Sequence, residues 1–206
     1  MIAVIDYGVG NLFSLSSSLS FLGLENRITR SWDEVRAASH IILPGVGAFG
    51  DAMEKLAATG LVPVLREEAK KGKPLLGICL GMQLLFEKSY EYGEHAGLCL
   101  LPGEVCPLQP DLAAAGCACK VPHIGWNALH LQRPDCPLLA NTSEGDHVYF
   151  VHSFYAKHCK DALAAGAEYG IDVPGVVWHG NVYGCQFHPE KSGAVGLGIL
   201  RAFAAL

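Results

Sequence analysis

One short segment combines a reactive side chain with the residues needed to expose it. Residues 75–78 are an apolar run, and Cys79 follows with Gly77 two residues before it and Gly81 two residues after it. A helical pattern begins at Leu80. This is the glycine-x-nucleophile-x-glycine turn between a strand and a helix, with cysteine where hydrolases carry serine. The glycines permit the strained turn, and a helix N-terminus behind the sulfur favours the thiolate.

A base and an orienting carboxylate occur far downstream. His188 and Glu190 flank Pro189, and residues at this spacing on an extended stretch face the same side. The Glu190 carboxylate can then fix the tautomer of His188 and stabilise the imidazolium that forms when His188 takes the Cys79 proton. A lone cysteine is usually an inert core thiol, and a lone His-x-Glu is usually an ordinary surface pair. Together they predict covalent catalysis by Cys79, His188 and Glu190.

Acyl transfer also needs N–H donors aimed at the developing oxyanion. Residues 44–47 follow the third predicted strand, and Val46 and Gly47 can present backbone N–H groups there, together with the N–H of Leu80. Residues 6–11 also contain two glycines. They lack the full G-x-G-x-x-G pattern and a ribose-binding acid, so a dinucleotide site is rejected.

The segments that must position these residues alternate between strand and helix patterns in the first half of the chain. Strands are predicted at residues 2–5, 25–29, 39–43 and 74–78. Four leucines at helical spacing predict a helix after the first strand: Leu12, Leu15, Leu19 and Leu22. A second helical stretch, residues 51–71, is broken by Gly60 and Pro63. This alternation predicts an α/β fold with a mostly parallel open sheet and helices on both faces.

The second half is less regular. Residues 92–141 are rich in Pro, Gly and Cys and predict loops with short antiparallel strands, a small extension of the sheet, with a surface loop at residues 111–119. Further strands are predicted at residues 147–151, 176–179 and 182–186, with turns at 173–175 and 179–181 and a final helix at 193–206. Because no repeat or long linker interrupts the chain, one domain spanning residues 1–206 is expected.

Composition narrows the class of protein. Half of the 206 residues are apolar and only 17% are charged, which predicts a sheet covered on both faces, a partner interface, or both. The net charge of −5 is modest and unpatterned, so neither nucleic acid nor an anionic membrane is expected as a partner. No basic segment precedes Asp6 and no uncharged run of about 18 apolar residues occurs, so a cytoplasmic protein is expected.

The eight cysteines are irregularly spaced in a chain that can bury a core without them. Reduced thiols are therefore expected. Cys117 and Cys119 with His123 could bind a metal, but structural zinc sites use wider cysteine pairs and four ligands. No metal and no cofactor are predicted.

Six segments carry a resemblance to a known family: residues 6–12, 44–49, 77–87, 123–127, 149–155 and 186–192. The chain resembles the class I (triad) glutamine amidotransferases from end to end. The Cys79 turn and the His188-Pro189-Glu190 segment are shared by that whole class. The segments at 123–127 and 44–49 and the Lys191-Ser192 pair make the chain similar to the glutaminase subunits of imidazole glycerol phosphate synthases, in histidine biosynthesis.

The resemblance implies the class I glutamine amidotransferase fold and hydrolysis of L-glutamine through a Cys79 thioester. Gln83 and Glu91 match positions that hold the α-carboxylate and α-amino groups of glutamine. Gly47 and the backbone of three further residues match the other substrate contacts: His152, Ser153 and Phe154. The implied partner is a (β/α)8-barrel cyclase/synthase subunit in a heterodimer, which receives the ammonia. Four residues match positions at or near that interface: Asn11, Trp126, Tyr149 and Lys191.

Three other functions remain open from the sequence. The chain could serve another ammonia-using synthase, such as that of pyridoxal phosphate synthesis, although Trp126 and Lys191 argue against it. It could be a freestanding γ-glutamyl hydrolase, which would need a wider pocket and no partner. It could also be a catalytically silent regulatory subunit, against which the intact triad weighs. Residues 100–120 match no motif of the family, so Cys106, Cys117 and Cys119 have no assigned role.

Overall fold

The computed structural model describes all of residues 1–206. Its centre is an eight-stranded sheet with the order β2-β1-β3-β4-β14-β13-β12-β9, in which the first five strands are parallel and the remaining ones antiparallel. The strands of this sheet are Ile2–Ile5 (β1), Asn26–Thr29 (β2), His40–Gly45 (β3), Leu75–Cys79 (β4), His130–Leu131 (β9), Leu163–Glu168 (β12), Asp172–His179 (β13) and Val182–Cys185 (β14).

Two smaller units of antiparallel and mixed pairing flank this sheet. The first is a pair, β8 (His123–Ala128) with β10 (His147–His152). The second is a four-stranded sheet with the order β11-β7-β5-β6, made of Lys88–Ser89 (β5), His95–Ala96 (β6), Glu104–Pro107 (β7) and Phe154–Lys157 (β11). The predicted α/β class, with its mostly parallel sheet and antiparallel extension, is confirmed.

Helices cover both faces of the large sheet. The seven α-helices are Leu12–Phe21 (α1), Trp32–Ala37 (α2), Phe49–Ala58 (α3), Leu61–Lys70 (α4), Leu80–Leu84 (α5), Leu108–Ala114 (α6) and Gly193–Ala204 (α7). None of them has the length and apolar character needed to cross a bilayer.

The two hydrophobic cores follow from the alternation of side chains along buried strands. In β1, Ala3 and Ile5 pack into one core with Leu56 of α3 and Leu65 of α4. The intervening Ile2 and Val4 pack into the other core with buried residues of α1 and α7, namely Leu15, Leu19, Ile199 and Phe203. Since every second side chain points to the opposite face, a strand that is apolar throughout predicts burial on both sides, as the composition indicated.

Most predicted elements occur within a few residues of their expected bounds, but three predictions are wrong. Residues 111–119 were predicted as a surface loop, but α6 continues to Ala114 and therefore includes the first part of this segment. Pro110 is compatible with the helix because it lies in the first turn, where its missing N–H is not needed. Residues 173–175, predicted as a turn, belong to β13, where Pro174 lies opposite Gly166 of β12. The register of this pairing shifts between Ala165 and Gly166, and proline is tolerated at such an irregularity.

The third wrong prediction concerns the cysteines. Cys117 and Cys119 form a disulfide, whereas the other six cysteines are free. The chain turns sharply after α6 at Gly116, which has a φ of +69°. The Cys119 N–H then donates to the Cys117 sulfur at 3.2 Å, and the two side chains meet.

Candidate active site

The Cys79 turn is built from the end of β4 and the start of α5. Every residue of β4 is buried, and Cys79, its last residue, has a φ of +54° in the turn between strand and helix. From this turn Cys79 lines a cavity. The flanking glycines are needed because the backbone packs closely there. A methyl group on Gly81 would overlap the carbonyl oxygen of Leu43, and one on Gly77 would lie 2.6 Å from the carbonyl oxygen of Gly81.

Sheet pairing brings His188 to the nucleophile. β14 runs parallel to β4 with Cys185 opposite Ile78, so the chain that leaves β14 reaches His188 just beyond Cys79. The His188 side chain is buried, and its Nδ1 lies 2.9 Å from Glu190 Oε1. Glu190 is in a short 3-10 turn, Pro189–Lys191. The expected pairing is therefore present, but a tight turn and not an extended stretch sets it.

The electrostatics of the pair favour a charged histidine. Burial lowers the pKa of His188, but hydrogen bonds with Cys79 and with the Glu190 carboxylate outweigh it and raise this pKa to about 9. With Nδ1 bound to Glu190, the other ring nitrogen is the one available to Cys79. An imidazolium at this position stabilises a neighbouring thiolate and can donate a proton to a leaving amine.

A cavity of about 330 Å³ opens over the sulfur, within the size range of small-molecule sites. It brings together eleven of the residues predicted from the sequence: Val46, Gly47, Cys79, Leu80, Gln83, Glu91, His152, Ser153, Phe154, His188 and Lys191. Glu190 lies behind His188 and does not line the cavity. No group of three or more His, Cys, Asp or Glu side chains is arranged to hold a metal ion.

The loop after β3 lies beside the nucleophile because Gly45 pairs with Cys79 in the parallel register. Val46 and Gly47 line the cavity from this loop, and Gly47 has a φ of +97°. The loop is anchored at one end, where the buried hydroxyl of Tyr7 donates to the Pro44 carbonyl at 2.7 Å. Leu80 lines the same cavity at the start of α5. The three predicted sources of oxyanion donors therefore surround Cys79.

The residues predicted to hold the two ends of glutamine are already engaged. Gln83 Nε2 donates to the Phe154 carbonyl and to Gln186 Oε1, both at 3.0 Å. Glu91 Oε2 accepts the N–H of Phe49 at 2.7 Å. Burial raises the pKa of the Glu91 carboxyl, in spite of this N–H bond. A cationic ligand group would therefore find in Glu91 a partly desolvated acid that forms no salt bridge within the chain, although His95 lies near enough to lower its pKa slightly.

His152 shapes the cavity as a neutral side chain. Its Nδ1 lies 2.9 Å from the Phe154 carbonyl oxygen, which can only accept, so Nδ1 carries the proton. Its Nε2 then accepts from Nδ1 of His123 at 3.0 Å. Burial lowers the pKa of His152 to about 3 and that of His123 to about 4. These two histidines hold the backbone of residues 152–154 in place at neutral pH and add no charge.

The predicted interface residues lie beside the cavity. Trp126 is 55% exposed, and its ring is edge-on to Tyr149 at a centroid distance of 6.1 Å. Lys191 Nζ is 5.9 Å from the centre of the Tyr149 ring. Asn11 Nδ2 donates to Glu190 Oε1 at 3.4 Å. Trp126 is therefore a surface residue and not part of either core.

Two further residues contact the site and were not among the predicted site residues. The buried amide of Gln186 donates to the Cys79 sulfur at 3.8 Å, and Tyr7 anchors the loop beside it. The sequence offered one indication of the role of Gln186, because this residue lies two positions before His188. Tyr7 carried no signal, because its role depends on a contact with Pro44 that only the folded chain creates.

A nucleophile and a base with a pKa of about 9 thus line one cavity, and an orienting carboxylate lies behind the base. Such an arrangement can attack a carbonyl carbon, protonate the leaving group and hydrolyse the resulting thioester.

Comparison with solved structures identifies the fold. A protein described as a glutamine amidotransferase superimposes with a TM-score of 0.75 at 19% sequence identity, covering 100% of both chains. PurLQS from Thermotoga maritima gives a TM-score of 0.71 at 19% identity, with 98% of this chain and 96% of that chain covered.

Sequence comparison identifies the family. Residues 3–204 match the family model "Glutamine amidotransferase class-I". The imidazole glycerol phosphate synthase subunit HisH of Bacillus licheniformis is 54% identical over 204 residues, 98% of this chain and 95% of the relative. The HisH subunit of Geobacillus kaustophilus is 50% identical over 207 residues, 100% of this chain and 97% of the relative. The chain therefore belongs to the class I glutamine amidotransferase family, and within it to the HisH subunits of imidazole glycerol phosphate synthase.

Proposed function

We propose that this chain hydrolyses L-glutamine to glutamate and ammonia and delivers the ammonia to a synthase subunit in histidine biosynthesis. The observation that carries the proposal is a cavity lined by Cys79 and His188, with Glu190 bound to His188 from behind, in a chain about half identical to HisH subunits over almost its whole length. We place the activity in one amidotransferase domain spanning residues 1–206, in the cytoplasm.

The proposed reaction proceeds through a thioester. The Cys79 thiolate attacks the side-chain carbonyl carbon of glutamine, and the oxyanion accepts N–H bonds from the 46–47 loop and from Leu80. The His188 imidazolium donates its proton to the leaving nitrogen, so ammonia departs and a glutamyl thioester remains. His188, now neutral, takes a proton from water as the water attacks the thioester. Glutamate leaves, and the thiolate and imidazolium are restored.

Substrate orientation follows from the two ends of the cavity. Glu91 is assigned to the α-ammonium group of glutamine, because its carboxylate is buried, lines the cavity and forms no salt bridge. Gln83 is assigned to the α-carboxylate, together with the backbone of His152, Ser153 and Phe154, which lines the same cavity. Binding the α-carboxylate requires Gln83 to release one of its present acceptors.

The proposed partner is a (β/α)8-barrel cyclase/synthase subunit, forming a heterodimer. Trp126, Tyr149, Lys191 and Asn11 form the part of the interface that adjoins the cavity. An exposed tryptophan beside a reaction cavity is typical of a protein–protein contact. Docking there would enclose the ammonia, which loses its nucleophilicity once it is protonated in water.

The first prediction tests the thioester. Cys79→Ala should abolish glutamine hydrolysis in the complex with the partner saturating, because no other side chain at the site can form the covalent intermediate. The fold should persist, since the turn position contributes little core volume. The same complex should still form imidazole glycerol phosphate from added ammonium salts. The matched control is Cys99→Ala, which removes an exposed free thiol and should leave the glutaminase rate unchanged.

Glutamine hydrolysis by the Cys79→Ala complex above a trace would contradict the mechanism. Full glutaminase activity of the isolated chain would instead favour a freestanding γ-glutamyl hydrolase.

A further inference from the structure

Tyr92 combines two features that its place in the fold does not explain. Its φ is +55°, in the left-handed region, where a side chain with a Cβ is unfavourable. Its side chain is 88% exposed, so no burial of apolar surface compensates for the strain. The next residue, Gly93, could adopt such a conformation freely. A strained, exposed aromatic residue of this kind is characteristic of functional sites.

The position of Tyr92 connects it to the glutamine cavity. It directly follows Glu91, which lines that cavity. The Tyr92 ring is edge-on to the ring of Phe154, another lining residue, at a centroid distance of 6.2 Å. Tyr92 also lines a neighbouring cavity, and Glu91 is common to both. The tyrosine ring therefore does not line the glutamine cavity itself but packs against one of its lining residues and follows another in the chain. It lies at the edge that this cavity shares with the neighbouring one, which we call the mouth.

The charges at the mouth favour a cation. The neighbouring cavity is lined by the carboxylates of Asp51 and Glu54 as well as Glu91, with His95 as the one basic side chain. The face of a tyrosine ring attracts an ammonium group within about 6 Å, and the attraction grows as water is excluded. The chemistry of this mouth fits the α-ammonium end of an amino acid.

The local backbone directs the ring to this position. The N–H of Glu91 donates to Ser89 Oγ at 3.2 Å, and the Glu91 carboxylate accepts the N–H of Phe49 at 2.7 Å. These bonds fix the turn just before Tyr92. The left-handed conformation at Tyr92 then carries the ring toward Phe154, whereas an ordinary conformation would turn the side chain elsewhere.

We propose that Tyr92 is a specificity-determining residue that closes over the α-ammonium group of bound glutamine, opposite the carboxylate of Glu91. The ring supplies a cation–π contact and excludes water from the Glu91 ion pair. Substrates that carry an amide but no α-ammonium group gain nothing from it. This inference rests on the proposed glutaminase function.

The experiment compares two substrates in the complex with the synthase subunit. Glutamine is one, and glutaramate, the same molecule without the α-amino group, is the other. Tyr92→Ala should raise the KM for glutamine about tenfold, with kcat changed less than about twofold. The kcat/KM for glutaramate should stay within about twofold of wild type. Tyr92→Phe keeps the ring face and should behave as wild type.

Two further variants distinguish this role in substrate binding from an effect on folding stability. Tyr92→Gly should raise the melting temperature, because glycine relieves the strained φ, yet should raise the KM for glutamine as Tyr92→Ala does. The matched control is Tyr90→Ala, which removes an exposed ring that lies over Lys88 and lines neither cavity. It should change neither kinetic constant.

Each outcome bears on the proposal. An unchanged KM for glutamine in Tyr92→Ala, or equal losses on both substrates, would overturn the role of Tyr92 and leave the glutaminase function intact. A wild-type complex that does not hydrolyse glutamine at all would overturn both.

Discussion

The proposed chemistry depends most on the side chain of His188. It contacts Glu190 through one nitrogen and is buried beside Cys79. Glu190 is itself almost fully buried, and its second oxygen, Oε2, has no hydrogen-bond partner. The shortest hydrogen bond of the carboxylate is thus the one with His188, and Asn11 makes a longer one to the same oxygen. We expect Glu190 to orient the His188 ring and to stabilise its protonated form. Substitutions of His188 and of Glu190 should therefore have different effects on the reaction.

Replacing the base should cost more than replacing the carboxylate. His188→Asn should lower glutamine turnover by roughly 10²–10⁴-fold, because proton transfer to the leaving nitrogen is lost. Glu190→Gln should cause a smaller loss, since the amide keeps the volume of the carboxylate and transfers no proton in either form. Steady-state kinetics of both complexes, with circular dichroism to confirm folding, measure the difference. Equal losses would assign Glu190 a direct part in the reaction.

The pKa of His188 provides a second measurement. Glu190→Gln should lower this pKa from about 9, because a neutral amide no longer stabilises the imidazolium. The folded pKa exceeds the unfolded value of 6.5. The stabilisation is therefore fully present below pH 6.5 and is lost as pH rises through about 9.

Histidine NMR titration gives the pKa directly, and urea unfolding at several pH values gives the stability. The wild type should exceed Glu190→Gln in stability by more at pH 6 than at pH 10. A His188 pKa that is unchanged in the variant would contradict the assigned role of the carboxylate.

The short helix α5 depends on a close approach to β3. Gly81 occupies the second position of α5, and a methyl group there would overlap the Leu43 carbonyl. Alanine is normally the better helix former, but here the helix would have to move away from the sheet. The turn that exposes Cys79 would move with it.

Gly81→Ala should therefore lower the free energy of unfolding by about 3 kcal/mol or more, or prevent folding, in contrast with the usual benefit of alanine in a helix. Gly23→Ala is the matched control. Its φ is +73°, so alanine is strained there, but no atom lies within 4 Å of the added methyl group. It should cost about 1 kcal/mol. Urea denaturation measures both, and a mild effect at Gly81 would mean that α5 is not fixed by this contact.

At the level of elements, the sequence was least informative where local patterns were weak. β12 was not predicted, because its sequence of alanines and glycine shows no alternation of apolar and polar residues. Pro110 and the small residues around it obscured α6. By contrast, β1, β4 and α1 were predicted correctly, since apolar runs in the two strands and leucine spacing in the helix are strong local signals.

At the scale of the whole molecule, the loop of residues 44–47 lines the same cavity as Cys79 and the proposed interface residue Lys191. Tyr7 anchors the loop at Pro44, but a side chain on Gly47 would meet nothing within 4 Å. A peptide next to such a glycine can rotate at modest cost. We therefore expect the N–H groups of this loop to be aligned by the partner.

The isolated chain should accordingly be a poor glutaminase, which the complex activates when the synthase subunit holds its ligand. A shift of the loop from about 1:99 to 99:1 needs roughly 5.5 kcal/mol of differential binding, which a phosphorylated ligand can supply. Glutamine hydrolysis measured with the chain alone, with the complex and with the liganded complex tests this. A similar kcat/KM in all three would exclude the switch.

The sequence by itself determined the local chemistry of this protein. The glycines around Cys79 and the spacing of His188 and Glu190 are properties of short segments, and such segments encode backbone conformation and periodicity directly. These were enough to predict the fold class and the catalytic residues. The expected substrate contacts came from the resemblance to the amidotransferases, and the structure brings them into one cavity with Cys79.

Only the tertiary structure decided which distant groups meet. The bond between Gln186 and the Cys79 sulfur, the pair of neutral histidines at 123 and 152, the anchoring of Pro44 by Tyr7 and the Cys117–Cys119 disulfide carried no sequence signal that was recognised as such. Three of these contacts join segments about 30 or more residues apart, and two of the three depend on how β1, β3, β4 and β14 lie side by side in the central sheet. Pairing of that kind is set by the packing of all the strands and helices together, because no single segment contains the information on its neighbours.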